Sequence, residues 1–343
     1  MKCFKFDTEI SKITAAALEK AKRYILSDEL VAFPTETVYG LGANAFSDRA
    51  IEKIFEAKGR PQDNPLIVHI AEDYPIDELV ETSYDYIYKL RAAFLPGPLT
   101  MVYKSKGKVS KTATCGLDTV GIRIPRSEAA RQFLKAVGVP IAAPSANLSK
   151  HTSPVTAEHV FGDMQGRIPL ILDGGKCDGG IESTVLDVTT DTPTILRSGL
   201  VTYEMIEKVV GKCAYSENKI TDKVRAPGMK YAHYMPSCEA VLFKRTDLER
   251  AQRLYDEYEE KGKTPYFMCD DDAKEKLRGK ILSLGKTAKE IASNLYYSLL
   301  EGEKKADIII AVEVDTGDGV DEGIMNRLKK ACGGKYYEDS DRI

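Results

Sequence analysis

The chain is expected to form an α/β protein, with a mixed, strongly twisted sheet in its first part and a smaller α/β domain at its end. Three observations predict this. From residue 13 to about 200, short strand patterns rich in β-branched residues alternate with helical ones. A helix does not follow every strand, which suits a mixed sheet better than a regular doubly wound one. Residues 214–238 then mix Pro, Gly, Tyr and charge without periodicity, and a strand–helix order resumes after them.

ITAAALEKAKRYIL (13–26) carries apolar residues at spacings of three and four, the signature of an amphipathic helix. LVAFP (30–34) reads as a short strand stopped by Pro34, and DRAIEKIFEAKG (48–59) as a helix closed by Gly59. PLIVHI is a strand after a proline. A helix around DYIYKLRAAF, strands LTMVYK and TVGIRIP, helix SEAARQFLKAV and strand PIAAPS follow. ILDGG, STVLDV and TPTILRSG supply further strands, and YEMIEKVVGK closes the first part. The expected organisation is a catalytic domain over 1–213, a linker over 214–238 and a C-terminal domain over 239–343. The 214–238 segment is long for a connection inside a compact domain, which points to a linker or a functional loop.

With 343 residues the chain has room for two domains of ordinary size. Its net charge of −3 does not advertise a nucleic-acid protein, although it allows a local basic patch. No apolar run approaches the ~20 residues that span a bilayer, so no membrane role is expected. The N-terminus lacks a signal-peptide core, which predicts a cytoplasmic protein. The seven cysteines form no CxxC pair, against both a disulfide scaffold and a zinc knuckle, and no protein metal site is expected.

Chemistry-bearing residues gather at strand ends. FPTETVYGLGANAF (33–46) sets Thr35, Glu36, Thr37 and Tyr39 beside Gly40 and Gly42. Such a stretch is either a plain tight turn or a set of exposed backbone donors for an anion. Lys58 and Arg60 flank Gly59, and would converge on one anion if the turn were extended, with little burial of either side chain. Asn64 adds an amide, and His69 ends its strand. Arg123 sits between Ile122 and Ile124 and needs a partner, either an internal carboxylate or a substrate carboxylate. APSANLS (143–149) offers Ser145, Asn147 and Ser149, while Glu182, Ser183, Thr184 and Arg197 follow at later strand boundaries. No nucleophile elbow or HExxH motif is present, so the inventory favours binding a polyanion and positioning reactants.

In this order, FPTETVYGLG, KGRPQDNPLIVHI, PGPLT (96–100), VGIRIPR, APSANLS, ESTV and ILRSG resemble the YrdC-like family. APGMKYAHYMP (226–236) resembles the linker of the family's long, two-domain form, the L-threonylcarbamoyladenylate synthases. The resemblance spans nearly the whole chain. It implies a YrdC-like open twisted sheet with a large cationic cavity, followed by a linker and a smaller Rossmann-like α/β domain. It also implies condensation of L-threonine, bicarbonate (or CO2) and ATP to threonylcarbamoyl-AMP, with release of pyrophosphate. The product would serve N6-threonylcarbamoyladenosine formation at position 37 of tRNA through a downstream tRNA threonylcarbamoyl-transferase complex. Mg2+ would ride mainly on the ATP phosphates.

Residue roles follow from the same resemblance. Thr37, His69, Arg123 and Ser183 resemble the threonine side, with Arg123 on the amino acid's carboxylate. Lys58 and Arg60, from the K-x-R motif, would be the catalytic pair that steadies the carbamate and the phosphates. Arg60, Asn64, Thr119, Ser145, Asn147 and Arg197 resemble the ATP side, and Tyr231 a lid residue over the nucleotide. Ala143 departs from relatives that carry a hydroxyl there, and leaves only its backbone to contribute. The alternative function is that of a double-stranded RNA-binding protein, or of a regulatory subunit of the tRNA-modifying complex.

Overall fold

The structure, a computed structural model, describes residues 6–216 and 234–338. By backbone packing they divide into two units. The first holds the described residues up to Ser149, then Pro154–Asp178 and 182–216; the second holds Lys150–Ser153, Gly179–Ile181 and 234–338.

The strands of the first unit are β1 (Glu9–Lys12), β2 (Val31–Phe33), β3 (Gly40–Asn44), β4 (Ile67–His69), β5 (Val80–Glu81) and β6 (Leu99–Ser105). They continue with β7 (Thr119–Arg123), β8 (Ile141–Ala142), β9 (Leu170–Asp173), β10 (Thr184–Asp187), β11 (Thr194–Arg197) and β12 (Ala214–Tyr215). Together they form one 12-stranded sheet in the order β1-β9-β2-β3-β8-β4-β7-β6-β10-β11-β12, with β5 paired to β6. Parallel and antiparallel pairs mix, as the irregular alternation predicts: β4 runs parallel to β7, and β6 antiparallel to it.

The helices are α1 (Ala15–Leu26), α2 (Asp48–Lys58), α3 (Tyr86–Phe94), α4 (Lys111–Thr114), α5 (Glu128–Val137), α6 (Ala157–Met164) and α7 (Tyr203–Val210). Helix α1 starts where the Thr14 hydroxyl accepts from Ala17 N, and α2 ends at Gly59, left-handed at φ +60°. Both ends follow from cap chemistry. Phe33, Phe133, Ile25 and Leu170 are buried together in a core between α1, α5 and the adjoining strands. Among the described residues no helix is long and apolar enough to cross a membrane.

Two readings of the sequence change here. GLGAN is strand β3, not a turn of exposed backbone donors. Its glycines are required by close packing: a Cβ on Gly42 would lie 2.9 Å from Ile141 Cγ2, and one on Gly40 would lie 3.1 Å from the Phe33 ring. Ala214 and Tyr215, placed in the linker by composition, form β12 and pair in parallel with β11.

The second unit contains β13 (Glu239–Phe243), α8 (Leu248–Glu260), β14 (Pro265–Cys269), α9 (Asp271–Lys274), β15 (Ile281–Ser283), α10 (Ala288–Gly302), β16 (Ile308–Val312) and α11 (Val320–Ala331). Its sheet is four-stranded, in the order β13-β16-β14-β15, and every pair is parallel. The wholly buried IIIAV run of β16 suits a strand covered on both faces. Helix α10 begins with a capping box between Thr287 and Glu290. Within this unit Tyr234 is buried, its ring centroid 5.3 Å from that of Tyr296. Tyr231, the expected lid residue, lies outside the described residues.

Candidate active site

Strand register decides which side chains share a face. Residues alternate along a strand, and cross-strand partners point the same way. His69 on β4 is the register partner of Arg123 on β7. On β6, Met101 pairs with Ile122, which sets the neighbouring Thr100 opposite Arg123. Further along the same face, Ile67, Val102, Thr119, Gly121 and Val185 line a crevice together with Thr100. Thr119 and Arg123 are the two ends of β7, roughly 13 Å apart along the strand, and polar residues gather in two groups.

The first group surrounds Arg123, which is only 3% exposed. Its Nη2 lies 2.7 Å from Glu36 Oε1, its Nη1 donates to Thr37 Oγ1 at 2.8 Å and its Nε donates to Gly97 O at 3.3 Å. The sequence left open whether this arginine meets an internal carboxylate, and it does. Burial pushes the Glu36 carboxyl up, but the Arg123 charge and hydrogen bond outweigh this and hold it below its ordinary range. The loop between β2 and β3 thus crosses the sheet face to bring Glu36 and Thr37 onto β7. His69 is buried, its ring edge against Phe33, and its Nδ1 has no hydrogen-bond partner among the described residues. Burial and the Arg123 charge push its pKa down to about 3, so at neutral pH its imidazole is uncharged.

Ser183, directly before β10, joins this end: its hydroxyl lies 2.8 Å from that of Thr100. Arg197 donates to Ser183 O from Nε (3.2 Å) and Nη2 (3.0 Å), and to the Ser183 hydroxyl at 3.3 Å. The resemblance put Arg197 on the ATP side; in the register of β10 and β11 its partner is Val185, two residues from Ser183.

The second group lies where β4 begins and β8 ends. The extended lysine–arginine turn foreseen from the sequence is not formed. Lys58 is the last residue of α2, 3% exposed, and its ammonium donates to Ser145 O (2.6 Å), Asn147 O (2.5 Å) and, weakly, Asn147 Oδ1 (3.4 Å). Gly59 turns left-handed between the two cations, so Arg60 leaves in another direction, with Nη2 donating to Asn64 O at 2.9 Å. Lys58 therefore contributes to the core instead of lining an exposed lip. Burial, then the Arg60 charge, lower its pKa well below that of a free lysine. Asn64 is fully buried, and neither its side-chain oxygen nor its nitrogen has a hydrogen-bond partner among the described residues. Ser145 bridges to Gly40, and Thr119 opens on the crevice.

Glu36, Thr35 and Thr100 join the site without having been assigned a role in it. All three lie inside recognised motifs, and alternation within T-E-T was the available signal. Their partners are far away in sequence and could not be paired from it.

A buried set of donors and acceptors around Arg123, an amide and hydroxyl set around Asn64 and Ser145, and a mixed sheet that carries both define an α/β fold with polar side chains gathered at its strand ends. Residues 23–199 match the Sua5/YciO/YrdC family model, described as telomere recombination, and residues 201–333 match the model of the threonylcarbamoyl-AMP synthase C-terminal domain. The chain belongs to the threonylcarbamoyl-AMP synthases of this family, in their two-domain form. It is 42% identical over 322 residues to the threonylcarbamoyl-AMP synthase of Pyrococcus abyssi, covering 91% of this chain and 93% of that one. It is 42% identical over 326 residues to that of Bacillus subtilis, covering 93% of each. The solved structure of P. abyssi Sua5 complexed with L-threonine superposes with a TM-score of 0.86 at 40% identity, covering 96% of this chain and 98% of that chain.

Proposed function

We propose that this chain makes L-threonylcarbamoyl-AMP from L-threonine, bicarbonate or CO2 and MgATP, releasing pyrophosphate, for N6-threonylcarbamoyladenosine formation on tRNA. The observation that carries this reading is the single sheet face. Arg123, bonded to Thr37 and in register with His69, stands at one end of β7, and Thr119, which lines the crevice, at the other, with Asn64 and Ser145 assigned to that second end in this reading. Arg123 takes the threonine carboxylate, while Thr37, His69 and Ser183 surround its amine and hydroxyl. The amine nitrogen bonds to the carbon of CO2, losing a proton, or to that of bicarbonate, whose C–O bond breaks as water leaves with that proton; a carbamate oxygen then attacks the α-phosphorus. The bond from that phosphorus to the leaving oxygen breaks as pyrophosphate departs.

Both steps crowd negative groups together, so fixed positive charge lowers the barrier. Arg60, Arg123 and Arg197, with Lys58 behind the Ser145–Asn147 loop, make the cavity cationic in this reading. Asn64, Ser145, Asn147 and Thr119 hold the nucleotide, with the magnesium arriving on its phosphates. A tRNA threonylcarbamoyl-transferase complex consumes the product. The test is mass spectrometry of the purified chain with ATP, Mg2+, bicarbonate and single amino acids. Threonine- and bicarbonate-dependent threonylcarbamoyl-AMP and pyrophosphate are expected, with serine much poorer. ADP as the nucleotide product, or no need for threonine, would overturn the reading.

A further inference from the structure

The hydroxyls of Thr35 and Thr37 form a chain whose proton direction is set by its two ends. At one end, Arg123 Nη1 donates to Thr37 Oγ1 at 2.8 Å, and arginine has no acceptor, so Thr37 accepts there. At the other end, Thr35 Oγ1 lies 2.7 Å from Val38 O, which can only accept, so the single Thr35 proton points to that carbonyl. The contact between the hydroxyls, 2.8 Å, therefore takes its proton from Thr37. The reverse arrangement would leave two acceptors facing each other at 2.7 Å in a buried site. The backbone N–H groups of Thr37, at 3.1 Å, and Val38, at 3.3 Å, share the remaining lone pair of Thr35 Oγ1 in a bifurcated contact, which ties the chain to the backbone of the loop.

We infer that Thr35 is a positioning residue: it takes the Thr37 proton, and so leaves Thr37 with an open lone pair that selects an N–H of the amino-acid substrate. Thr37 has no proton to give a carboxylate, whereas the Arg123 guanidinium beside it has only protons to give. The pair thus presents an acceptor and a donor side by side, matching the amine and carboxylate that an α-amino acid carries on one carbon. Glu36, held 2.7 Å from Arg123, balances the guanidinium charge and so keeps the pocket from repelling an amine. The inference rests on the amino-acid reading of this site and adds which substrate group each side chain takes.

The test compares L-threonine with (R)-3-hydroxybutanoate, which has the same carbon chain, hydroxyl and carboxylate but no amine. Steady-state KM for threonine and ATP, and the inhibition constant of the analogue, are measured for the wild type, Thr35→Val and Thr35→Ser. Thr35→Val frees the Thr37 proton to turn outward, and should cut the preference for threonine over the analogue roughly tenfold. The ATP KM and the analogue's constant should stay within about twofold of the wild type, as a loss confined to one contact requires. Thr35→Ser keeps the hydroxyl and should keep the preference. An unchanged preference in Thr35→Val, or an equal loss for threonine and analogue, would overturn the inference. Should Thr35→Val fail to fold, Thr37→Val decides: it must lose the preference directly, and retaining it refutes the assignment. A wild type that binds no threonine defeats the functional reading and this inference with it, whereas threonine binding with unaltered preference defeats the inference alone.

Discussion

At the Arg123 end of the crevice, opposite charges and oriented hydroxyls hold one another: Glu36, Arg123, Thr37 and Thr35 form one connected, buried set. At the Asn64 end the cation is held by backbone instead, with Lys58 donating to the carbonyls of Ser145 and Asn147. Beside it the fully buried Asn64 amide has no hydrogen-bond partner among the described residues. The difference follows from cost. An uncompensated charge in a low-dielectric interior is so unfavourable that the fold itself must pair it, whereas a neutral amide costs only about 1–3 kcal/mol when left open. The fold therefore gives the Arg123 and Lys58 charges partners of its own, whereas the Asn64 amide and His69 Nδ1 are left without a hydrogen-bond partner among the described residues.

The largest expected effect tests the charge-locked end. Arg123→Met leaves Glu36 buried without its partner and should cost about 3–5 kcal/mol of stability in urea unfolding. Adding Glu36→Gln should restore most of that stability and none of the threonine affinity. A single variant as stable as the wild type would show that the pair is not what holds this end.

Lys58→Ala probes the backbone-held end. Losing charge-assisted bonds from α2 to the Ser145–Asn147 loop should cost about 2–3 kcal/mol and raise the ATP KM more than the threonine KM. Equal changes in the two constants would break the division between the ends.

His69 gives a pH signature. Its folded pKa, about 3, is below the ordinary histidine value, so the unfolded chain binds the extra proton first as pH falls. Its stabilisation is complete above about pH 6.5 and is lost as pH drops from there toward 3, at about 1.4 kcal/mol per unit. Between pH 7.5 and 5 the wild type should lose about 2 kcal/mol more than His69→Phe, measured by chemical denaturation. Parallel profiles for the two proteins would remove His69 as the cause. The smallest stability change belongs to Asn64→Leu. Deleting an unpartnered amide should leave stability within about 1 kcal/mol of the wild type while ATP affinity falls. A strong loss of stability with normal ATP binding would make this amide a structural group.

Much of the fold was legible because periodicity and caps are local. The α1 pattern, the Gly59 stop of α2 and the strand ending in His69 all depend on residues within a turn or two of one another. GLGAN was not legible as β3, because its glycines answer to Ile141 and Phe33 on neighbouring strands and look in sequence like any tight turn. The lysine–arginine pair misled for a related reason. Alternation suggests that side chains two apart share a direction, but this holds only in extended backbone, and a helix end followed by a left-handed glycine sends them apart.

By itself the sequence determined the α/β class, the order of most elements and the motif set that marks the family, since each rests on short-range pattern or on residue identity. Only the tertiary structure decided that Arg123 meets Glu36, that Lys58 holds the Ser145–Asn147 loop, and that Thr37 stands as an acceptor. These are pairings across strands distant in the chain. They depend on register, where a slip of one residue would turn every one of these side chains to the opposite face.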